Sequence, residues 1–166
     1  GAGVAREAAR RGLKTLLVEQ RDYAWGTSSR SSKMVHGGLR YVAQGDIKLT
    51  WHSLTERERL LIEAPGLVTR MGYWFAHYRH VFPGRFVFGI LLRIYDFLAG
   101  VRDRRFLKRK DFLARMPGYR DANLTGASRY TDALVDDSRL VMRVLDEAGA
   151  DGALALNYVK AESLIM

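Results

Sequence analysis

"GAGVAREAARRGLKTLLVE", residues 1–19, decides how the rest of the chain is read. It opens Gly-x-Gly, carries small residues at Ala5, Ala8 and Ala9, and sets paired arginines before Gly12. Small residues at helical spacing let a helix lie close to a sheet, and a glycine just past the last periodic residue suits a helix C-terminus. "KTLLVE" is a short apolar run ending in a carboxylate, the composition of a buried parallel strand. Helix, glycine, strand and acid, in that order, are the second half of a βαβ unit.

Further along, "DIKLTWHSLTERERLLIEAPG" (46–66) places Ile47, Trp51, Leu54 and Leu61 at helical spacing, with Asp46 as its cap and Pro65 as its end. The aromatic "GYWFAHYRHVF" (72–82) reads as a strand, and a helix is expected over 86–100. That helix is too short, and too interrupted by Arg93 and Asp96, for a bilayer span of ~20 residues. A short helix near 109–116 and a strand in "GASRYTDALVDD" (126–137) follow. "DDSRLVMRVLDEAGADG" (136–152) is a helix with an Asp pair at its cap, and "ALALNYV" (153–159) and "AESLIM" (161–166) read as strands. The order is α/β at both ends with an aromatic α+β insertion between them. The expected domains are 1–72, 73–135 for the insertion, and 136–166. With a glycine start that falls inside a motif and an apolar finish without a turn, the chain is expected to be a piece of a larger protein.

Lysine and arginine outnumber acids 27 to 18, for a net charge of +9, which favours acidic partners: phosphorylated small molecules, anionic lipid or nucleic acid. The densest run, "VRDRRFLKRKDF" (101–112), reads as a solvated helix end or loop, with an anionic membrane surface as the other candidate. The sequence has no cysteine, which excludes disulfides and thiolate metal sites within it and fits a reducing compartment. His77 and His80 lack a companion carboxylate pattern, so no metal site is expected.

A dinucleotide fold needs glycines at a strand-to-helix turn, so that backbone N–H groups can approach a pyrophosphate. Gly1 and Gly3 stand where the last of them would be, and Glu19, 18 residues beyond Gly1, ends the next strand, where an acid holds ribose hydroxyls. Eight residues later comes "TSSRSSKMVHGGLRYV" (27–42). Its Ser and Thr donors with Lys33 suit phosphate oxygens or flavin carbonyls. Gly37 and Gly38 permit close approach to a flat ring, and Arg40 offers a fork for a second anion.

These segments together resemble the FAD-dependent glycerol-3-phosphate dehydrogenases. "ERERLLIEAPGLV" is similar to that family's E-R-x-x-L…A-P-x-L helix, "LLRIYDFLAG" to its Y-D-x-L-A/G helix, and "YTDALVDDSRLV" to its Y-x-D…D-D-x-R-L segment. Glu7 departs from the Asp usual in the first helix. The resemblance covers essentially the whole chain. It implies a Rossmann-like FAD-binding parallel sheet with an inserted α+β substrate domain, incomplete at both ends here.

The resemblance further implies FAD as cofactor, with Gly1, Gly3 and Glu19 on its ADP half and Thr27, Ser28, Ser32 and Lys33 along its pyrophosphate and isoalloxazine. It places Arg40 and Tyr41 toward the substrate and His36 at the proton of the C2 hydroxyl. The implied reaction oxidises sn-glycerol 3-phosphate to dihydroxyacetone phosphate by hydride transfer to FAD, with electrons passed to a quinone. This chain alone would be inactive. The implied setting is cytoplasmic, peripheral on the inner face of the cytoplasmic membrane, without nucleic acid and compatible with a homo-oligomer. The alternatives are an oxidase that uses oxygen and, from another class, a basic binding module for anionic lipid or nucleic acid. For Asp132, a bond from Arg139 is one expectation and a surface Arg139 the other.

Overall fold

A computed structural model describes residues 1–163. In chain order the elements are α1 (Ala2–Arg10), β1 (Leu16–Glu19), a 3-10 turn (Thr27–Ser29), β2 (Met34–Val35), α2 (Leu39–Ala43), α3 (Ile47–Glu63) and β3 (Val68–Tyr78). They continue with α4 (Arg85–Ala99), β4 (Arg105–Lys108), α5 (Arg109–Arg115), β5 (Leu124–Val135), α6 (Asp137–Ala150) and β6 (Leu154–Asn157). By packing the chain forms two compact units, one of Gly1–Lys33 with Val135–Met166 and one of Met34–Leu134. Residue 73, the expected start of the insertion, lies inside β3 of the second unit. By packing, the chain passes between the units where β2 begins and, close to the expected end of the insertion at residue 135, where β5 ends.

In the first unit β1 and β6 pair in parallel, Leu16 opposite Leu154 and Glu19 opposite Asn157, as a βαβ half requires. Gly12, at φ +76°, closes α1, where its own N–H and that of Leu13 bond the carbonyls of Ala9 and Ala8. The small residues of α1 serve a helix as well as a strand, because α1 packs on α6 in addition to β1. Ala5 and Ala9 are buried on α1, as are Leu145 and Ala148 on α6. Arg6 and Arg10, one turn apart, bond Glu147 and Asp151 at 2.6 and 2.8 Å. The strand expected in "AESLIM" lies partly outside the described residues, and 161–163 carry no regular structure.

The second unit is organised on β5. β3 lies along one side of it, while β2 and β4 pair with it antiparallel at opposite ends. The two faces of β3 have different neighbours, as its pleat dictates. Trp74 meets Phe112 of α5, and Phe75 stacks on Phe88 of α4 with ring centroids 4.3 Å apart. His77, 2% exposed, lies among Phe75, Phe88 and Phe106 with Nε2 2.8 Å from Ser128 Oγ; burial holds its pKa below the usual histidine value.

Two local expectations are corrected. The run 101–112 is not one solvated helix end or loop: Arg105–Lys108 form β4 on the edge of β5, and α5 starts at Arg109. α3 keeps its expected span, with Asp46 accepting the Leu49 N–H at 2.9 Å, but turns a different face inward. Thr50, Leu54 and Arg57 are buried, whereas Ile47 and Trp51 are 41% and 51% exposed. Two polar residues hold the inner face because each has partners there: Thr50 bonds the Asp46 carbonyl, and Arg57 bonds a buried carboxylate.

Candidate active site

The expected donors of the first unit separate into two groups. Lys33, at φ +61°, turns its ammonium onto Asp137 and, at 3.3 Å, onto the carbonyl of Ser29. Ser31 Oγ donates to the other oxygen of Asp137 at 2.7 Å, and the Ser138 N–H adds a third donor. These hydrogen bonds, Lys33 foremost, pull the Asp137 pKa down to about 2. Asp136, not Asp137, caps α6 by accepting the Arg139 N–H. The sequence hid this division, because it joins residues 104 and 106 positions apart.

Thr27, Ser28 and Ser32 are exposed, and their hydroxyls have no partner among the described residues. Nearby in sequence, Glu19 ends β1 half-buried, accepting the Arg21 N–H at 2.9 Å. The first turn of α1 has no capping side chain and no acid, so its N–H groups remain available to an anion. A Cβ built on Gly3 would meet nothing within 4 Å, which leaves the backbone approachable there. Open amides, uncommitted hydroxyls and a strand-end carboxylate fit an anionic dinucleotide such as FAD.

In the second unit, the segment His36–Tyr41, running from the end of β2 through the glycine pair into the first turn of α2, is anchored from below and open above. Gly37 and Gly38 are buried, while His36 and Arg40 are exposed. Both glycines have a packing reason. A Cβ on Gly37 would come within 2.2 Å of Leu54 Cδ2 and of the Tyr95 hydroxyl; Gly38, at φ +81°, would drive one to 2.3 Å from the Tyr41 ring. Below Gly37 lies Asp132, 2% exposed, whose Oδ1 accepts the Gly37 N–H at 2.9 Å, Arg57 Nη1 at 2.7 Å and the Tyr95 hydroxyl. Burial, then the neighbouring Asp132 charge, raises the Tyr95 pKa, and the same causes push Tyr130 up to about 12.

Asp132 is thus bound by Arg57, while Arg139 is exposed on α6. Four separated sequence segments meet at this carboxylate: H-G-G-L-R-Y through Gly37, E-R-x-x-L through Arg57, Y-D-x-L-A through Tyr95, and Y-x-D through Asp132 itself. Sequence reading singled out Asp132 only as a partner for Arg139 and passed over Arg57 and Tyr95. The signal was a charged residue, Arg57, on the same helical face as Leu54.

The fold and these two clusters define a flavoprotein of the Rossmann type, and comparison with known proteins agrees. The profile described as FAD dependent oxidoreductase matches residues 1–166, and the chain belongs to that family. It is 39% identical over 168 residues to the aerobic glycerol-3-phosphate dehydrogenase of Bacillus subtilis, which covers 99% of this chain and 30% of that protein. The enzyme of the same name from Staphylococcus aureus is 38% identical over 165 residues, covering 98% of this chain and 30% of the relative. The chain therefore spans about a third of the length of the curated relatives it matches.

The glycerol-3-phosphate dehydrogenase from Bacillus halodurans, solved with FAD, superposes with a TM-score of 0.70 at 32% identity, over 99% of this chain and 25% of that one. The L-alpha-glycerophosphate oxidase of Mycoplasma pneumoniae, with FAD bound, shares the fold at a TM-score of 0.67 and 14% identity, over 95% of this chain and 41% of that one. The resemblance read from the motifs, and the expected Rossmann-like class, are borne out.

Proposed function

We propose that the full-length protein oxidises sn-glycerol 3-phosphate to dihydroxyacetone phosphate. The observation that carries this reading is the segment His36–Tyr41, whose buried glycine pair joins exposed His36 at the end of β2 to exposed Arg40 in the first turn of α2. The Arg40 guanidinium pairs with no carboxylate among the described residues, so its fork is available to a phosphate. Tyr41, its ring edge-on to His36 with centroids 6.1 Å apart, lies beside Arg40 at the substrate end. His36 takes the proton of the C2 hydroxyl.

When bound, FAD supplies the two-electron acceptor for the hydrogen on C2. Gly1, Gly3 and Glu19 hold its ADP half, while Thr27, Ser28 and Ser32 donate to its oxygens. Lys33 contributes by fixing the loop that carries them, through Asp137. Gly37 and Gly38 would let the backbone come close to the flavin. The names of the curated relatives favour a dehydrogenase over an oxidase; a quinone as the electron acceptor is part of the proposal.

Peripheral contact with the inner face of the cytoplasmic membrane belongs to the same proposal. It is supported by the outer face of α4, where Phe86 and Phe97 are 86% and 85% exposed alongside Arg85 and Arg93. No helix among the described residues is long and apolar enough to cross a membrane.

The test is Arg40→Ala in the full-length protein, assayed anaerobically with glycerol 3-phosphate and a quinone analogue. The expected result is a KM raised at least ten-fold, as loss of a charge-assisted phosphate contact implies, with FAD content unchanged. Lost flavin with an unchanged KM would reverse the assignment of Arg40. Turnover with oxygen alone would replace the dehydrogenase by an oxidase.

A further inference from the structure

Asp132 presents one buried oxygen to three donors from three other parts of the second unit. One of them is backbone. The Gly37 N–H belongs to the peptide that joins Gly37 to His36, so the bond fixes the plane from which the His36 side chain departs. The position is set by the sheet: Met34 pairs with Leu134 and Val35 with Ala133, so the register brings the chain beside Asp132 where β2 ends. The carboxylate takes over as acceptor where the ladder stops.

The other two donors hold the carboxylate in place. Arg57, 1% exposed, directs Nη1 to Asp132, to the Tyr95 hydroxyl at 3.1 Å and to the Thr131 carbonyl at 3.3 Å. Glu58 holds the far side of its fork through Nη2 at 2.8 Å. Tyr95, 1% exposed, touches Asp132 and also stands where a Cβ on Gly37 would be. On the opposite side Thr50 Oγ1 lies 3.5 Å from the Gly38 carbonyl, which in turn accepts the Tyr41 N–H at 2.8 Å.

An apolar cluster would fill this volume, but its contacts have no direction. A carboxylate with three donors permits one orientation of the peptide it binds.

We propose that Arg57 and Tyr95 are positioning residues for the segment His36–Tyr41 that leads into α2, acting through Asp132 on the Gly37 amide. The proposal rests on the functional reading above, in which that segment meets substrate. Neither residue reaches the reacting atoms; each sets where His36 and Arg40 stand. A displacement of about an ångström at such groups is enough to cost up to ~100-fold in rate, so a loosened node is visible in kinetics.

The experiment uses the full-length protein, glycerol 3-phosphate and an artificial dye as acceptor, with Tyr95→Phe, Arg40→Ala and the two combined. Tyr95→Phe deletes one hydroxyl and keeps the ring. It should raise KM about ten-fold with FAD content retained, and hydrogen exchange over 36–41 should quicken while β3 stays protected. In the Arg40→Ala background the same substitution should change KM by less than about two-fold, because both act on one contact. Unchanged KM, unchanged exchange over 36–41, or full additivity with Arg40→Ala would each overturn the proposal. So would a Tyr95→Phe protein that fails to fold, since that assigns Tyr95 to stability. Arg40→Ala without effect on KM would remove the functional reading first. An effect of Arg40→Ala with none of Tyr95→Phe would remove this proposal alone.

Discussion

Arg57 and Asp132 are 75 positions apart in the sequence and 2.7 Å apart in the fold, with side chains 1% and 2% exposed. A buried ion pair is costly to break one-sidedly, because the remaining charge has neither water nor a counter-ion. Arg57→Met should therefore destabilise the second unit by about 3–5 kcal/mol. Hydrogen exchange of β3 and β5 amides measures this locally. Exchange that stays within two-fold of the parent would show that Asp132 does not remain as an uncompensated buried charge.

Glycines 37 and 89 should respond to alanine with opposite signs. At Gly37 the new methyl meets Leu54 and Tyr95 at 2.2 Å, an overpacking that costs typically ~1–3 kcal/mol. Gly89 lies within α4 and its Cβ would meet nothing within 4 Å. Gly89→Ala should stabilise by up to ~1 kcal/mol through helix propensity. Thermal unfolding of the two variants beside the parent gives the ordering; equal Tm values would contradict it.

The hydroxyls of the 27–33 stretch should divide by function. Thr27→Ala, Ser28→Ala and Ser32→Ala remove exposed, uncommitted donors and should weaken FAD retention without changing the unfolding of the apoprotein. Ser31→Ala removes a bond to Asp137 and should do the reverse. Flavin content after gel filtration and melting of the apoprotein separate the two effects. Ser31→Ala with normal stability and lost flavin would cross the groups over.

The pairing of Lys33 with Asp137 carries an acid signature. The folded-state pKa of Asp137 is lowered to about 2, below the unfolded carboxylate value of about 3.9. A depressed carboxylate adds stability that is complete above the unfolded value and disappears as pH falls through the folded one. The first unit should weaken from roughly pH 4 to pH 2, and Asp137→Asn should flatten that limb. Melting followed against pH in both proteins decides it, and parallel curves would exclude Asp137 as the titrating group.

Much of this architecture was legible in local sequence. The half βαβ unit followed from the small residues of α1, Gly12 and the apolar run before Glu19, and α3 from Asp46 and Pro65. Strand β3 followed from aromatic content and β5 from alternation. What stayed hidden is long-range or polar. Periodicity set Trp51 on the apolar stripe with Leu54 and left Arg57 out of it, because it cannot register that a guanidinium has a carboxylate waiting 75 residues on. The basic run concealed β4, whose pairing with Gly126–Arg129 is a property of β5. In the site, residue types alone do not separate Ser31 from Ser32; the family resemblance named Ser32 only, and the bond to Asp137 gives Ser31 its separate partner.

Met34 and Leu134 are register partners on adjacent antiparallel strands, and one step outside them the Val135 N–H bonds the Lys33 carbonyl at 2.8 Å. The polypeptide thus enters and leaves the second unit at neighbouring points, the arrangement that lets one domain be inserted into another. A short turn joining Lys33 to Val135 would close the outer chain over the excision, and a similar turn would seal the excised segment into a ring. The outer chain is thereby left with a single gap in sequence, and the β1–β6 pairing that closes it involves no residue of the inserted segment.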